Sequence, residues 1–231
     1  MGLRRGSRVE RAAPAGASEI TRAVNPGAEE KKEEKETGRT EAFSDGVFSI
    51  AITLLVLELK LPHPADGGTV SSLTRALLDQ WPSYTSFVVS FFTILIMWAN
   101  HHAMFNMVRR IDVPFLYANG FLLLLVTFVP FPTSVLASYL ETPAAPVAGA
   151  FYAGTYCLIA IAFNVLWATA RNRRLLHARV SPEMVEMRTR RYHLGPPLYA
   201  IATAASFINV FLAVGICAGL AIFWLISGRL D

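Results

Sequence analysis

Apolar residues dominate five long stretches of the chain, the last of which is divided into two helices below, and shorter polar segments separate them. A helix that crosses about 30 Å of hydrocarbon needs about 20 mainly apolar residues, and each stretch is close to that length or longer. A polar loop around Asp66-Gly67-Gly68 follows the first stretch. The pattern predicts an all-α membrane protein with six transmembrane helices per subunit. The expected spans are residues 39–61, 83–105, 114–139, 147–170, 182–206 and 210–227.

The last two helices come from one apolar stretch, residues 194–227, that is too long for one span and short for two. The preceding residues supply the missing length. Ser181-Pro182-Glu183 combines a capping hydroxyl, a proline in the first turn and an acidic residue, which is typical of a helix start. We therefore expect the fifth helix to begin at Pro182 and a short turn near Asn209 to separate it from the sixth.

The composition favours a membrane protein, because 53% of the residues are hydrophobic and only 16% are charged. An ordinary soluble domain is less apolar and more charged. Residues 1–38 differ from the rest, since they are rich in Arg, Lys, Glu, Gly and Ala and contain no apolar run of signal-peptide length. We expect residues 1–38 to be a disordered, charged cytosolic tail and residues 39–231 to be the six-helix transmembrane domain.

The positions of Lys and Arg predict the orientation of the helices. Of the 21 Lys and Arg residues, all except Lys60 and Arg75 fall in the tail or in segments on the same side as the tail. Cytoplasmic segments of membrane proteins carry such an excess. The sequence therefore predicts a multi-pass protein of the cell membrane with both termini in the cytoplasm. Topology accounts for the net charge of +4, so a nucleic-acid partner is not expected.

The first predicted span contains an unusual number of polar groups. Its polar side chains include Ser44, Asp45, Ser49, Thr53 and Glu58. An ionisable group within a span is costly and normally faces protein or water, which makes it a functional candidate. At about 100° per residue, Ile50, Thr53, Leu54 and Leu57 form one stripe and Asp45 lies roughly opposite. Membrane helices commonly carry a Leu/Ile stripe, so periodicity alone does not assign it a function.

Other classes of protein remain open at this point to different degrees. No His-Glu-x-x-His or Gly-x-Ser-x-Gly pattern occurs, so an enzyme is not expected. Cys157 and Cys217 lie in apolar stretches and are expected to be packing residues. A proton- or ion-coupled transporter could use the intramembrane Asp and His residues, although it would usually show internal repeats. A purely structural membrane protein is also compatible with the composition.

Three ordered motifs carry a family resemblance. The first is Arg39-x-x-x-Phe43-Ser44-Asp45-Gly46, followed by the stretch Ile50 to Leu59. The second is Trp98-Ala99-Asn100-His101-His102. The third is Asn119 followed by Pro130-Phe131-Pro132-Thr133. Together they resemble the prokaryotic transmembrane protein 175 potassium channels, and the resemblance covers about residues 39–227.

The resemblance implies a homotetramer in which four copies of the first helix line a central, potassium-selective pore. It implies that rings of branched apolar side chains, at Ile50, Leu54 and Leu57, form the constriction, with the hydroxyl of Thr53 beside them. No backbone carbonyl filter is implied. The implied partners are other copies of the chain, membrane lipids and permeant K⁺, and no cofactor is expected.

The resemblance also implies a polar network that holds the pore helix against the second and third helices. Its members would be Arg39, Phe43, Ser44, Asp45, Trp98, His101, His102 and Asn119. Because no further ligands lie near the two histidines, we expect them to form hydrogen bonds rather than a metal site, with pH sensing as an alternative. Glu58 would form an acidic ring at the outer mouth, or else pair with Lys60 or meet water.

Overall fold

The computed structural model describes residues 26–60 and 68–227, and all regular structure in these residues is helical. The helices are α1 (Pro26–Leu54), α2 (Val70–Leu78), α3 (Trp81–Phe105), α4 (Val113–Phe128), α5 (Pro130–Tyr139), α6 (Ala145–Asn172), α7 (Pro182–Ala205) and α8 (Val210–Ser227). A 3-10 turn, Leu55–Glu58, extends α1. Within the described residues, four segments are long and apolar enough to cross a membrane: Lys31–Glu58, Trp81–Phe105, Val113–Tyr139 and Ala145–Asn172. The apolar helix α8 is shorter.

Helix α1 begins earlier than the sequence predicts. It starts at Pro26, so residues 26–38, which we expected to be part of a disordered tail, are helical. The physical reason is that Glu and Lys are good helix formers whose opposite charges support one another along a helix. The extension is also held to the protein, because Glu33 pairs with Arg109 and Arg110. Residues 1–25 lie outside the described residues.

The connection after α1 contains a helix that the sequence analysis did not predict. Residues 61–67, which include most of the expected polar loop, are outside the described residues, but Val70–Leu78 forms α2. The side chain of Thr69 caps this helix by accepting a hydrogen bond from the Ser72 N–H at 3.3 Å. The helix is amphipathic, and its short length concealed it between two longer apolar stretches.

Pro130 divides the third predicted span into two helices, α4 and α5. Pro130 has no N–H to continue the hydrogen bonds of α4, so that helix ends at Phe128 and α5 begins at Pro130. At the break, the Val129 N–H donates to the carbonyl of Val126, three residues earlier, at 3.2 Å, which is the spacing of a 3-10 helix. The apolar character continues through both helices, which explains why the pattern predicted one span.

Helix α7 confirms the predicted helix start and contains two further prolines. The Ser181 side chain accepts a hydrogen bond from the Met184 N–H at 3.3 Å, and the helix begins at Pro182. Pro196 and Pro197 lie inside the helix. The structure also confirms the predicted turn, because α8 begins directly after Asn209.

Helix α6 is the centre of the bundle. It packs against α4, α5, α7 and α8, whereas α1 packs against α3 and α4. At Gly149, α6 packs so closely against α8 that an added Cβ would lie 2.8 Å from the Cγ2 atom of Val210. Helix α1 therefore lies at one side of the bundle, and none of the described helices covers one of its faces.

Candidate functional site

One face of α1 is buried against α3 and α4. The buried side chains are Thr37, Ser44, Phe48, Ala51 and Leu55, which recur at intervals of three, four or seven residues. This spacing places them on one side of a helix. The packed side of α1 therefore combines hydroxyl groups in its N-terminal half with apolar residues towards its C-terminal end.

The opposite face of α1 is exposed and carries the predicted stripe. Ile50 is 57% exposed, Leu54 39% and Leu57 72%, and Thr53 is exposed with them. The Thr53 hydroxyl donates to the Ile50 carbonyl at 2.9 Å, so its oxygen keeps lone pairs for another partner. An apolar stripe with one hydroxyl oxygen is thus presented away from the subunit core.

A buried chain of hydrogen bonds fixes the packed face of α1. The Asn119 amide donates to the Ser44 Oγ at 2.9 Å, and the Asn119 Oδ1 lies 2.8 Å from the His101 Nε2. All three side chains are buried. The imidazole of His101 also stacks on Phe105, with ring centroids 4.4 Å apart. The structure thus brings together Ser44, His101 and Asn119, three of the residues that the resemblance assigns to one network.

Two more contacts tie α1 to α3 at the edge of this chain. The Trp98 indole N–H donates to the Asp45 Oδ1 at 2.8 Å. The His102 Nδ1 lies 2.8 Å from a carboxylate oxygen of Glu41. The ring of His102 stacks beside Trp98, with centroids 5.9 Å apart. Asp45 therefore has a hydrogen-bond donor within its own subunit, as an ionisable group within a span requires.

The structure corrects two members of the predicted network and adds one. Arg39 is exposed and makes no hydrogen bond or ion pair with the described residues, and Phe43 is 66% exposed. Helical spacing explains this, because both residues lie on the side of α1 that carries Ile50. Glu41 was missed as the partner of His102. Its position as a second acid in the same predicted helix, four residues before Asp45, was the available signal.

Glu58 lies at the end of the 3-10 turn, half-buried. Among the described residues it has neither a hydrogen bond nor an ion pair, so the alternative of a pair with Lys60 is not formed in the single subunit. In the same residues, no three His, Cys, Asp or Glu side chains are grouped as metal ligands would be.

The connection between α3 and α4 contacts both the N-terminal part of α1 and the connection between α6 and α7. Arg109 and Arg110 pair with Glu33 of α1 at 3.6 and 3.7 Å. The Arg109 N–H donates to the Leu175 carbonyl at 2.8 Å. From the sequence, these arginines are interpreted as signals of topology and as contacts to anionic lipid. The structure shows that they also join three segments at one end of the bundle.

Asp112 closes the same junction. Its Oδ1 accepts a hydrogen bond from the Phe115 N–H at 3.0 Å at the start of α4, and its other oxygen pairs with Arg173. Partial desolvation raises the pKa of Asp112, but these two hydrogen bonds and the charges of Arg173 and Arg110 lower it further. The pKa therefore lies below its ordinary value.

These features define a class of protein: an all-helical membrane protein whose first helix is anchored by buried polar contacts and exposes an apolar stripe. Comparison with known proteins identifies the family. The family model described as "Endosomal/lysosomal potassium channel TMEM175" matches residues 39–130. The relatives described below are at least 30% identical and are covered almost over their full length. The chain belongs to the TMEM175 family.

Three relatives show how far the similarity extends. A potassium channel of Chamaesiphon minutus is 54% identical over 196 residues, which cover 84% of this chain and 96% of that protein. A potassium channel of Streptomyces collinus is 42% identical over 191 residues, covering 82% of this chain and 91% of the relative. A crystal structure of a lysosomal potassium-selective channel TMEM175 homolog from Chamaesiphon minutus has a TM-score of 0.76 and 51% identity, covering 84% and 98% of the two chains.

Proposed function

We propose that this protein is a potassium-selective, leak-like channel in which four copies of the chain surround one pore lined by α1. Relatives at 54% and 42% identity are named potassium channels. The observation that carries the proposal for this chain is the division of α1 into two faces. One face is buried in its own subunit, while the face that bears Ile50 and Leu57 is apolar and left uncovered.

With fourfold symmetry, the exposed stripe of α1 would face the central axis of the tetramer. Around a central axis, equivalent side chains of four α1 helices would form rings of Ile50, Leu54 and Leu57. A ring of branched apolar side chains can close a pore by excluding water, and its width determines how much hydration water an ion must lose. Potassium releases its hydration water more readily than sodium, so such a constriction favours potassium. The lone pairs of Thr53 could partly replace lost water.

The buried contacts of α1 support this arrangement by fixing its rotation. Ser44 is bonded by Asn119, and Asp45 by Trp98, so turning α1 about its axis would leave buried polar groups without partners. Arg39 is the exception, because it is exposed in the single subunit. In a tetramer it would lie on the side of α1 that faces the axis, together with Ile50. Glu58 would form an acidic ring at the outer mouth.

The membrane topology is part of the same proposal. Six spans require α7 and α8 to cross in addition to the four segments that satisfy length and hydropathy. The clustering of Lys and Arg favours cytoplasmic termini and a location in the cell membrane. The six-helix domain then comprises residues 39–231, and the helical extension of α1 projects into the cytoplasm.

The direct test is electrical recording of the purified protein in planar bilayers, with potassium on one side and sodium on the other. We expect a reversal potential close to the potassium equilibrium value. A current that reverses near zero would contradict selectivity. An intact tetramer that carries flux only when a second ion or proton gradient is present would contradict the channel and favour a coupled transporter.

A further inference from the structure

The short helix α2 makes few packing contacts within the subunit. None of its 9 residues is buried, and no other described helix packs extensively against it. Its larger apolar side chains, Val70, Leu73, Leu77 and Leu78, are all exposed. Exposed apolar side chains that cluster on one surface mark a contact with another molecule or with a membrane. The apolar side of α2 therefore needs a partner outside the subunit.

The residues of α2 divide into an apolar face and a polar face. At about 100° per residue, Leu73 and Leu77 lie on one side of the helix. Ser71 and Arg75 lie on the other side, and Leu78 lies between the two. The Arg75 side chain forms neither a hydrogen bond nor an ion pair within the part of the chain that the structure describes. Such a division is typical of a helix that lies along the boundary between an apolar and an aqueous medium.

Helix α2 lies next to the start of a membrane-spanning helix. Only Asp79 and Gln80 separate it from α3, which begins at Trp81 and is long and apolar enough to cross a membrane. Two residues span less than about 8 Å, so they hold α2 near that end of the span. Trp81 and Tyr84 are exposed, and both residue types are enriched where spans meet the membrane surface. The chain therefore places α2 at the level of the membrane boundary.

The turn between α7 and α8 is also apolar at this end of the bundle. The ring of Trp81 stacks on Phe211, with centroids 6.3 Å apart, so α8 begins beside the start of α3. In the turn, Phe207 is 64% exposed and Ile208 is 83% exposed. Residues 194–228 include no Asp, Glu, Lys or Arg. Because turns in water are normally polar, a turn of this composition favours contact with lipid.

We propose that α2 is a membrane-surface helix whose apolar face, with Leu73 and Leu77 at its centre, inserts among the acyl chains of one leaflet. Arg75 then lies among the lipid headgroups, where phosphate and water are its partners. Lipid fits the helix better than a second copy of the chain, because a membrane boundary supplies an apolar and a polar medium at the level where α2 is held. The proposal rests on the membrane location of the protein and not on the proposed pore.

The test is the accessibility of nitroxide spin labels along α2 in the full chain, reconstituted in phosphatidylcholine liposomes. The two native cysteines are first replaced by alanine. The label is then attached to Leu73→Cys and Leu77→Cys on the apolar face, and to the controls Ser71→Cys and Arg75→Cys on the polar face. Oxygen concentrates among acyl chains, whereas a nickel chelate stays in water. We expect the ratio of oxygen to nickel accessibility to be several-fold higher on the apolar face.

Two kinds of result would overturn the proposal. An equal ratio at all four positions would show that α2 does not lie along a boundary. Low accessibility to both reagents at Leu73→Cys and Leu77→Cys would show that protein rather than lipid covers the apolar face. In that case, spin–spin broadening that disappears on dilution with unlabelled chains would identify a second copy as the partner. Gel filtration of each labelled variant checks that its assembly matches that of the unlabelled protein.

Discussion

Ser44 and Asp45 are neighbours in the chain but meet different helices. Ser44 is fully buried and accepts a hydrogen bond from Asn119 of α4, while Asp45 accepts one from Trp98 of α3. Two directed contacts to two helices define both the rotation and the height of α1. Since Ile50 follows within two turns, the same contacts determine which way it faces.

At the residue scale, Ile50→Asn should reduce ion selectivity. An amide at the constriction can coordinate and hydrate ions of either kind, so the cost of dehydrating sodium falls. We expect a potassium-to-sodium permeability ratio several-fold below that of the unchanged protein, with conduction retained. The reversal potential under mixed gradients measures this ratio.

The matched control is Ile222→Asn. Ile222 is 58% exposed, compared with 57% for Ile50, but it lies on α8. The control should keep the original reversal potential. If both variants behaved alike, or if Ile50→Asn left the potential unchanged, Ile50 would have no role in selectivity.

At the element scale, α7 shows how a membrane bundle tolerates proline. Pro196 has no N–H, so it cannot donate to the carbonyl of Tyr192, which lies one turn earlier. The amide of Asn164 on α6 donates to that carbonyl at 2.7 Å. The Cys157 thiol donates to the carbonyl of Pro196 at 3.4 Å. At the Tyr192 carbonyl, helix α6 thus supplies a donor that Pro196 cannot.

Asn164→Leu should therefore destabilise the protein by about 1–3 kcal/mol, because it leaves a buried carbonyl without a hydrogen bond. Pro196→Ala restores the missing backbone N–H. In that background the cost of Asn164→Leu should be much smaller, which a double-mutant cycle of thermal unfolding in detergent would measure. Equal costs in the two backgrounds would show that Asn164 does not serve this carbonyl.

The junction between α4 and the α6–α7 connection should be sensitive to acid. The pKa of Asp112 is lower in the folded than in the unfolded state, so its ion pair stabilises the protein above the unfolded pKa. That contribution disappears as the pH falls below about 4. Because the pair is partly exposed, we expect less than about 1 kcal/mol.

Asp112→Asn isolates the charge, since asparagine is an equally good helix cap. We expect a small loss of stability at pH 7 and a flatter decline in acid. Asp112→Ala also removes the cap and should cost about 1 kcal/mol more. Melting temperatures measured between pH 3 and pH 7 test both expectations. An unchanged acid profile in Asp112→Asn would assign the decline to other groups.

At the scale of the whole molecule, the proposed tetramer places the exposed face of α1 at its axis. Its exposed stripe includes Phe43 and Leu57, which are 66% and 72% exposed. Lipid could cover them, but a family of channels requires a path for ions. A symmetric assembly with α1 at its axis would cover these side chains and would also provide a path for ions.

Leu57→Cys tests this arrangement. The chain has 2 cysteines, and replacing Cys157 and Cys217 by alanine leaves the new thiol alone. Near a symmetry axis, mild oxidation should produce disulfide-linked dimers on a denaturing gel. Leu124 is 64% exposed but lies on α4, so the control variant Leu124→Cys should remain monomeric on the gel. Equal cross-linking of both, or of neither, would argue against α1 at the axis.

Much of the fold could be predicted from hydrophobic length and helix-end chemistry. The start of α7 after Ser181 and the turn at Asn209 followed from local signals, because caps and prolines act within a few residues. The long apolar stretches likewise predicted α3 and α6 almost to their ends. The extension of α1 and the helix α2 were missed, because short or charged helices depend on contacts such as that of Glu33 with Arg109.

For the candidate site, the sequence by itself determined which residue types an anchored membrane helix needs, and the ordered motifs supplied their positions. It also placed Ile50, Thr53, Leu54 and Leu57 on one face, because helix geometry is local. Only the tertiary structure decided that Glu41 rather than another acid meets His102, and that Arg39 and Phe43 lie outside the buried contacts. Pairing between helices depends on how they pack, and no single helix contains that information.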